Sequence, residues 1–166
     1  TDTNGDGVAD VVLANQSVDQ VLSQVRNAGT TTFSLGGFAQ GSAQGGQAPG
    51  FLTLADINND AIDDLLVANS GSNNVLVYLG TGPGQYSTTP LTFFAGTNPV
   101  SLAVLDLDGD LRNDVAVANQ GSNDVTVLKG SGVGASWTLV PGPRLEVGIG
   151  PNHVEAGDFD DDGIVD

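Results

Sequence analysis

Hydrophobic residues in this chain come in short runs that alternate with Gly-, Asn- and Ser-rich segments. Typical runs are DVVLAN, NVLVYL and DVTVLK, in which β-branched residues dominate. No segment keeps a 3.6-residue apolar period for long, and Gly occurs 24 times. The pattern favours short antiparallel strands joined by tight turns, and it predicts that helices are absent or trivial.

The runs recur at the same places within a period of about 50 residues. Each period contains an apolar run ending in Asn, a polar turn, a second apolar run, an aromatic residue after a Gly-containing turn, and a Pro preceded by Gly at three residues' distance. The run ends are Asn15, Asn69 and Asn119, the second runs open at Val21, Val75 and Val125, the aromatics are Phe33, Tyr86 and Trp137, and the Gly and Pro pairs are Gly46 with Pro49, Gly96 with Pro99 and Gly148 with Pro151. Four short strands per period make one propeller blade, and we expect the aromatics to pack between blades or to cover an outer edge.

Each period opens on a nine-residue loop with Asp or Asn at positions 1, 3, 5 and 9, namely DTNGDGVAD, DINNDAIDD, DLDGDLRND and DFDDDGIVD. The loops begin at Asp2, Asp56, Asp106 and Asp158, which are 54, 50 and 52 residues apart. We therefore predict an all-β fold of four-stranded antiparallel blades. It forms a single partial β-propeller domain over residues 1–166, with repeats at about 2–55, 56–105 and 106–157 and the start of a fourth at 158–166.

A closed propeller has four to eight blades, so about three blades and the start of a fourth form an incomplete ring. Further blades of the same longer chain, or other copies in a homo-oligomer, would complete it. The chain contains no Met and begins directly at the first loop, which is typical of an internal or processed piece of a longer protein.

The charge of the chain is concentrated in these loops. The formal net charge is −16, and 16 of the 20 acidic residues lie inside the four loops. Only four basic residues occur, and they are scattered, which argues against binding to nucleic acid or to an anionic membrane surface. No apolar run is long enough to insert into a membrane, and the absence of Cys excludes disulfides.

The spacing of the acidic residues predicts metal sites. Alternating oxygen side chains in a tight loop can converge on one hard cation, and no Cys or His enters any loop, which favours Ca²⁺ over Zn²⁺ or Cu²⁺. An EF-hand is excluded because position 12 is Leu or Val rather than Glu. We predict up to four Ca²⁺ ions, held by side chains at positions 1, 3, 5 and 9 and by the carbonyl of position 7. The predicted ligands are Asp2, Asn4, Asp6, Val8 and Asp10; Asp56, Asn58, Asp60, Ile62 and Asp64; Asp106, Asp108, Asp110, Arg112 and Asp114; and Asp158, Asp160, Asp162, Ile164 and Asp166.

The four sites are not expected to be equal. Position 6 is glycine in the first and fourth loops (Gly7 and Gly163), where a sharp turn often needs a positive φ, but it is Ala61 and Leu111 in the other two. We expect those two loops either to bind more weakly or to turn differently.

The sequence shows little that would support catalysis. The one histidine, His153, stands where the earlier periods have Phe51 and Ser101, which indicates an ordinary strand position. Gly-rich strings such as GTGPG lack the helix and Lys of a phosphate-binding loop. Identical spacing of the carboxylates in four copies indicates a structural ion. We therefore expect a protein that is not an enzyme.

Together these motifs resemble a known family. The D-x-[DN]-x-D-x-x-x-D loop, the VAN-type strand, the G-S-N turn and the V-x-V-x-x-G strand, as in LLVANSGSNNVLVYLGTG and DVAVANQGSNDVTVLKGSG, are similar to FG-GAP/VCBS repeats. The resemblance covers essentially the whole chain. It implies integrin-α-like propeller blades with Ca²⁺ in the loop between the first two strands, as found in many secreted proteins. The first period departs from it, with QSVDQ in place of the G-S-N turn.

Three functions are compatible with these expectations. The first is a non-catalytic, calcium-binding module, extracellular or at the cell surface, that acts in adhesion or binds a protein or glycan. The second is a structural building block that self-assembles into a ring or filament. The third is an accessory domain of a secreted enzyme. Solution mass distinguishes the first two, since large open assemblies that dissociate in chelator would indicate a building block.

Overall fold

The computed structural model describes residue 2 and residues 4–26, 28–30, 34–40 and 46–160. This part of the chain contains only strands, turns and one 3₁₀ turn at Gly134–Ser136, so the all-β prediction is confirmed. No helix among the described residues is long and apolar enough to span a membrane.

Eleven of the thirteen described strands form three consecutive antiparallel sheets, each of which is one blade, and the other two form a small hairpin. The first blade holds β1 (Val11–Asn15), β2 (Gln20–Val25) and β3 (Ser34–Gln40). The second holds β4 (Pro49–Ala55), β5 (Asp64–Asn69), β6 (Asn74–Tyr78) and β9 (Leu91–Phe94). The third holds β10 (Pro99–Leu105), β11 (Asp114–Asn119), β12 (Asp124–Ser131) and β13 (Thr138–Glu146). The two complete blades have the four strands that the sequence predicted, in chain order from one edge to the other.

The hydrogen-bonded sheets are offset from the loop-to-loop periods. The strand that precedes an acidic loop pairs with the strand that follows it, as Ala55 does with Asp64 and Leu105 with Asp114. The second and third acidic loops therefore each connect the first and second strands of a blade. The described blades begin at the Pro residues, Pro49 and Pro99, because Pro favours an extended chain and needs no N–H partner at a strand start.

The core consists of two layers between the three blades. Successive residues of a strand point to opposite faces of its sheet, and β5 is buried on both faces. Leu65 and Val67 pack toward the first blade, in a cluster with Val21, whereas Leu66 and Ala68 pack toward the third. Continuous burial therefore explains why DLLVAN is an unbroken apolar run rather than an alternating one.

The two recurrent aromatics among the described residues, Tyr86 and Trp137, lie in these layers, as expected from the sequence. Trp137 is 6% exposed and meets Phe93 of the second blade edge-on, with ring centroids 6.4 Å apart. Tyr86 packs on the cluster between the first and second blades, and burial there raises its pKa to about 12. Phe33 lies outside the described residues.

One segment differs from the predicted simple turn. Between the third and fourth strands of the second blade, β7 (Gly80–Gly82) and β8 (Gln85–Tyr86) form a small hairpin. Gly84 has a φ of 64°, a left-handed conformation that glycine adopts without strain, and the Ser87 N–H closes the hairpin on the Leu79 carbonyl at 2.7 Å. The hairpin carries Tyr86 to the interface between blades.

Candidate metal-binding loops

The three described loops share one backbone hydrogen-bond pattern, centred on the Asp at position 1. Its carboxylate accepts the N–H of position 6 at 2.7 Å in the first loop (Gly7 to Asp2), 2.7 Å in the second (Ala61 to Asp56) and 2.8 Å in the third (Leu111 to Asp106). It also accepts the N–H of position 5 at 3.2, 2.9 and 3.1 Å. The loop thus wraps around this carboxylate, which is the physical reason for an Asp at position 1.

Positions 3 and 5 extend the same wrapping by Asx turns. The side-chain oxygen of position 3 accepts the N–H of position 5 at 2.9 Å from Asn4, 3.0 Å from Asn58 and 3.3 Å from Asp108. The position 5 carboxylate accepts the N–H of position 7 at 2.9 Å in every described loop. Short polar side chains at alternate positions are therefore required by the turn itself, with or without an ion.

Left-handed residues make the turn sharp. Position 4 has φ of 76° (Gly5), 61° (Asn59) and 77° (Gly109), and position 6 has 82° (Gly7), 68° (Ala61) and 67° (Leu111). Of the two alternatives expected for the loops of Ala61 and Leu111, a different turn is wrong, and weaker binding stays a prediction. The hydrogen bonds to the position 1 carboxylate hold both residues in the glycine-like conformation, which costs an L-residue about 1–2 kcal/mol.

The ninth-position Asp fastens each loop to its sheet. Asp10, Asp64 and Asp114 are buried, and each accepts the N–H of the residue 16 positions later, from Arg26 at 2.8 Å, Gly80 at 2.6 Å and Gly130 at 2.8 Å. The other carboxylate oxygen of Asp64 and of Asp114 accepts the N–H of position 2. This Asp is therefore a candidate ligand, and it also ties the loop to the end of the blade's third strand.

Burial of these carboxylates has an electrostatic cost. Desolvation is the main reason why the pKa of Asp64 is raised to about 6. The charges of Asp60 and Asp56 also raise this pKa, while the N–H donors of Gly80 and Ile57 lower it. Desolvation likewise raises the pKa of Asp114. An uncompensated negative charge at position 9 is disfavoured, so the site favours a cation beside it.

The third loop brings its carboxylates closest together. Oxygen atoms of Asp106, Asp108 and Asp114 all lie within 4.8 Å of one another, the one group of three acidic residues at this distance in the described part of the chain. Asp110 is not in the group, and its carboxylate lies 2.8 Å from the Arg112 guanidinium. Three of the four predicted side-chain ligands thus converge in this loop.

A lysine that the repeat pattern did not indicate lies against this group. The Lys129 Nζ is 2.7 Å from Oδ2 of Asp108. The hydrogen bond and the charge of Lys129 lower the pKa of Asp108, and Asp108 in turn raises the pKa of Lys129. Lys129 is the only lysine in the chain, and it directly precedes Gly130, whose N–H binds Asp114. This position next to Gly130 is the signal by which the sequence could have indicated that Lys129 lies near the loop.

Neighbouring loops lie side by side along one edge of the blades. The Asn59 side chain donates to the Leu111 carbonyl at 3.0 Å, and the Asn113 side chain donates to the Asp56 carbonyl at 2.6 Å. A cleft of about 280 Å³ between the second and third loops is lined by Asn58, Leu111, Val133 and Trp137, among others. In the fourth loop Asp158 and Asp160 are exposed, while Asp162, Ile164 and Asp166 lie outside the described residues.

The side chains of His153 and Ser101 make a contact that resembles a catalytic Ser–His pair. Its Nδ1 lies 3.0 Å from Oγ of Ser101, and its Nε2 lies 3.8 Å from Glu155. Ser101 is fully buried, and its Oγ also accepts the Val154 N–H at 3.3 Å. A serine that no substrate can reach is not a nucleophile, so this contact joins β10 to the segment that follows the third blade.

A sequence model of the FG-GAP-like repeat family matches the chain three times, over residues 2–67, 56–117 and 106–166. The chain belongs to the FG-GAP repeat family. Each match contains two successive acidic loops and the strands between them. The match over residues 56–117 therefore begins at the loop inside the second blade and ends beyond the loop inside the third. No curated protein shows significant similarity to this FG-GAP protein.

Proposed function

We propose that this FG-GAP protein is a calcium-binding, non-catalytic propeller module that lies outside the cell and binds a protein or glycan partner. The observation that carries the proposal is the convergence of Asp106, Asp108 and Asp114 within 4.8 Å. A group of carboxylate oxygens at this spacing suits a hard divalent cation and offers nothing to a soft metal.

The donor set of the described loops fits calcium. Positions 1, 3, 5 and 9 supply carboxylate or amide oxygens, and position 7 supplies a backbone carbonyl. Although the ninth-position carboxylates already accept N–H groups, each of their oxygens keeps a second lone pair for a ligand. A bound Ca²⁺ would neutralise the crowded carboxylates and tie the loop to the strand that begins at Asp64 or Asp114.

The negative charge of the loops and the expected extracellular location both support calcium binding. A formal charge of −16 concentrated in the loops destabilises the compact chain, and each Ca²⁺ would offset two negative charges. Extracellular modules bind calcium with dissociation constants of about 10⁻⁴–10⁻³ M, which suits surroundings where calcium is abundant. Calcium bound in this way would make the blades rigid without taking part in any reaction.

The edge that carries the loops supports a binding role. Leu111 and Val133 are 81% and 69% exposed beside the polar Asn58 and Asn59, so the cleft there has both apolar and polar walls. Mixed surfaces of this kind suit the side chain of a protein partner or the face of a sugar ring.

Calorimetric titration with Ca²⁺ after removal of bound metal by chelation tests the proposal. We expect heat of binding and a rise in unfolding temperature, since calcium at 100 times its dissociation constant adds about 2.7 kcal/mol per site. The variant Asp114→Asn should lose part of both effects. The control Asp19→Asn removes an acidic residue outside the loops and should retain them. Absence of heat and of any thermal shift in the unmodified chain would overturn calcium binding.

A second function, a self-assembling building block, is favoured by one edge of the first blade. In the described residues β1 pairs only with β2, whereas the equivalent strands β5 and β11 also pair with β4 and β10. Val11 on this edge is 46% exposed, and such an edge can accept a strand either from another copy or from a longer form of the same chain. Light scattering distinguishes the two functions: large species that dissociate in chelator indicate the building block, and a monomer indicates the binding module.

A further inference from the structure

The third acidic loop differs from the first two in carrying both an additional carboxylate and its own counter-charge. Position 3 is Asn4 and Asn58 in the first two loops but Asp108 in the third. The added carboxylate is the one that Lys129 contacts at 2.7 Å. The side chains of Lys129 and Asp108 are 41% and 34% exposed, so the ammonium group sits at the open side of the loop.

The place of Lys129 in the fold can be matched between blades. The residue after it, Gly130, donates its N–H to Asp114, just as Gly80 donates to Asp64 and Arg26 donates to Asp10. The residues in the place of Lys129 are therefore Leu79 in the second blade and Val25 in the first, neither of which carries a charge. Only the third loop of the three has a cation at this point.

The ligand positions of the three loops differ in charge. The ligand positions hold three carboxylates in the first loop and three in the second, but four in the third. Lys129 and Arg112 place two positive charges beside these four carboxylates, Lys129 on Asp108 and Arg112 on Asp110. A carboxylate that is paired with an ammonium group must give up that pair, or share it, before a divalent cation can use the same oxygen.

We propose that Lys129 is a tethered competitor for the divalent cation at the third loop, and that it lowers the calcium affinity of this loop. Lys129 stabilises the loop in the absence of calcium and leaves Asp108 when calcium binds. The third loop thus keeps its shape at low calcium and fills at a higher calcium concentration than its four carboxylates alone would set. This inference rests on the calcium binding proposed above.

The first test follows Lys129 directly in the chain without any amino-acid substitution. Because it is the only lysine, reductive methylation with ¹³C-formaldehyde places a label on Lys129 and otherwise only on the terminal amine. Titration with Ca²⁺ should move the Lys129 signal toward its position in an Asp108→Asn variant, in step with the amide signals of Gly109 and Leu111. A Lys129 signal that stays unchanged while those amides shift to saturation would overturn the proposal.

The second test measures the affinity of the third loop by the same amide signals. Lys129→Leu, which copies the second blade, should tighten calcium binding there about three- to tenfold and leave the Ala61 amide titration of the second loop unchanged. Lys129→Arg keeps the charge and should bind like the unmodified chain. Arg144→Gln removes an equal charge away from the loops and should also leave the third loop unchanged.

The outcomes separate the two proposals. If no amide in any loop responds to Ca²⁺, calcium binding itself fails. If the loops respond but Lys129→Leu binds no more tightly than Arg144→Gln, calcium binding stands and the role of Lys129 is rejected. Dispersed amide spectra of each variant before titration show that it is folded.

Discussion

The side-chain oxygen of Asn73 accepts the backbone N–H of Asn98 at 2.8 Å, which joins a turn of the second blade to the start of the third. The same bond joins the first blade to the second, from Ala48 to Asp19 at 2.6 Å, and the third blade to the segment that follows it, from Gly150 to Asn123 at 2.9 Å. At each of these three connections, which we call joints, both hydrogen-bonded residues have a positive φ. The turn of one blade thus sets the direction in which the chain enters the next.

The polar turn also binds the segment that leads into its own blade. The Ser72 hydroxyl accepts the Gln47 N–H at 3.1 Å, and the Ser122 hydroxyl accepts the Thr97 N–H at 2.9 Å. The serine of the G-S-N turn therefore holds the preceding linker, and the asparagine holds the following one. In the first blade Asp19 takes the place of the asparagine and accepts the N–H of the following linker. This explains why QSVDQ can replace the G-S-N turn there.

Removal of the Asn73 side chain should weaken the joint. Asn73→Ala loses the hydrogen bond to Asn98 and leaves an alanine, which has no polar group to stabilise the left-handed conformation, at a φ of 56°. We therefore expect a loss of about 1–2 kcal/mol in the free energy of unfolding. Asn73→Asp copies Asp19 and should stay within about 0.5 kcal/mol of the unmodified chain. Urea unfolding measures both, and equal stability of the two variants would contradict the role of the joint.

Gly96 should tolerate no side chain. A Cβ there would lie 2.4 Å from the Ser122 Oγ and 2.6 Å from the Asn119 Cγ, and the Gly96 N–H already donates to Asn119 at 3.0 Å. We expect Gly96→Ala to destabilise the fold by about 1–3 kcal/mol. A Cβ at the counterpart Gly148 would meet nothing within 4 Å, so Gly148→Ala is the matched control and should be nearly neutral in thermal unfolding.

Leu111→Gly should stabilise the protein, contrary to the usual effect of glycine. Leu111 has a φ of 67° and is 81% exposed, so the change relieves a left-handed conformation and removes little packing. Relief of strain exceeds the entropic cost of glycine by up to about 1 kcal/mol. Val133→Gly is the control, because Val133 is also exposed but has a φ of −147° and should lose stability. Thermal unfolding in chelator decides, and a lower midpoint for Leu111→Gly would contradict the argument.

Acid should weaken the third blade through Asp124. Burial raises the pKa of Asp124, but the hydrogen bonds from Asn119, Arg144 and Ser122 outweigh it and lower the pKa overall. A lowered pKa in the folded state means that the stabilisation is present above the ordinary Asp pKa of about 3.9 and is lost as pH falls through the folded value. The stability difference between the unmodified chain and Asp124→Asn should therefore shrink below about pH 4. Urea unfolding in chelator at pH 3 and pH 6 measures it, and a constant difference would contradict the assignment.

Much of this arrangement could be predicted from the sequence because the interactions are local or repeated. The loops are defined by side chains that bind backbone groups two to five residues away, as Asp56 binds Ala61 at 2.7 Å. The apolar runs and the Pro residues placed the strands, since β-branched composition and Pro chemistry act within a few residues. Repetition of each feature in register then indicated the blade.

Other features depend on residues that are distant in sequence. Asn73 and Asn98 are 25 residues apart and meet only because one blade packs on the next, and Lys129 reaches Asp108 across 21 residues of the folded sheet. The left-handed Ala61 was unexpected because propensity disfavours it, yet two hydrogen-bond acceptors in the loop over-determine its conformation. No local pattern contains the contact of Asn73 with Asn98 or that of Lys129 with Asp108.

The sequence by itself determined the repeat, the all-β class and the positions of the oxygen-bearing side chains, because these depend on short-range backbone chemistry. Only the tertiary structure decided which carboxylates converge, which are compensated by Lys129 and Arg112, and how the turn of each blade directs the next. Those outcomes depend on burial and on contacts between strands and blades, and such contacts exist only once the sheets have packed together.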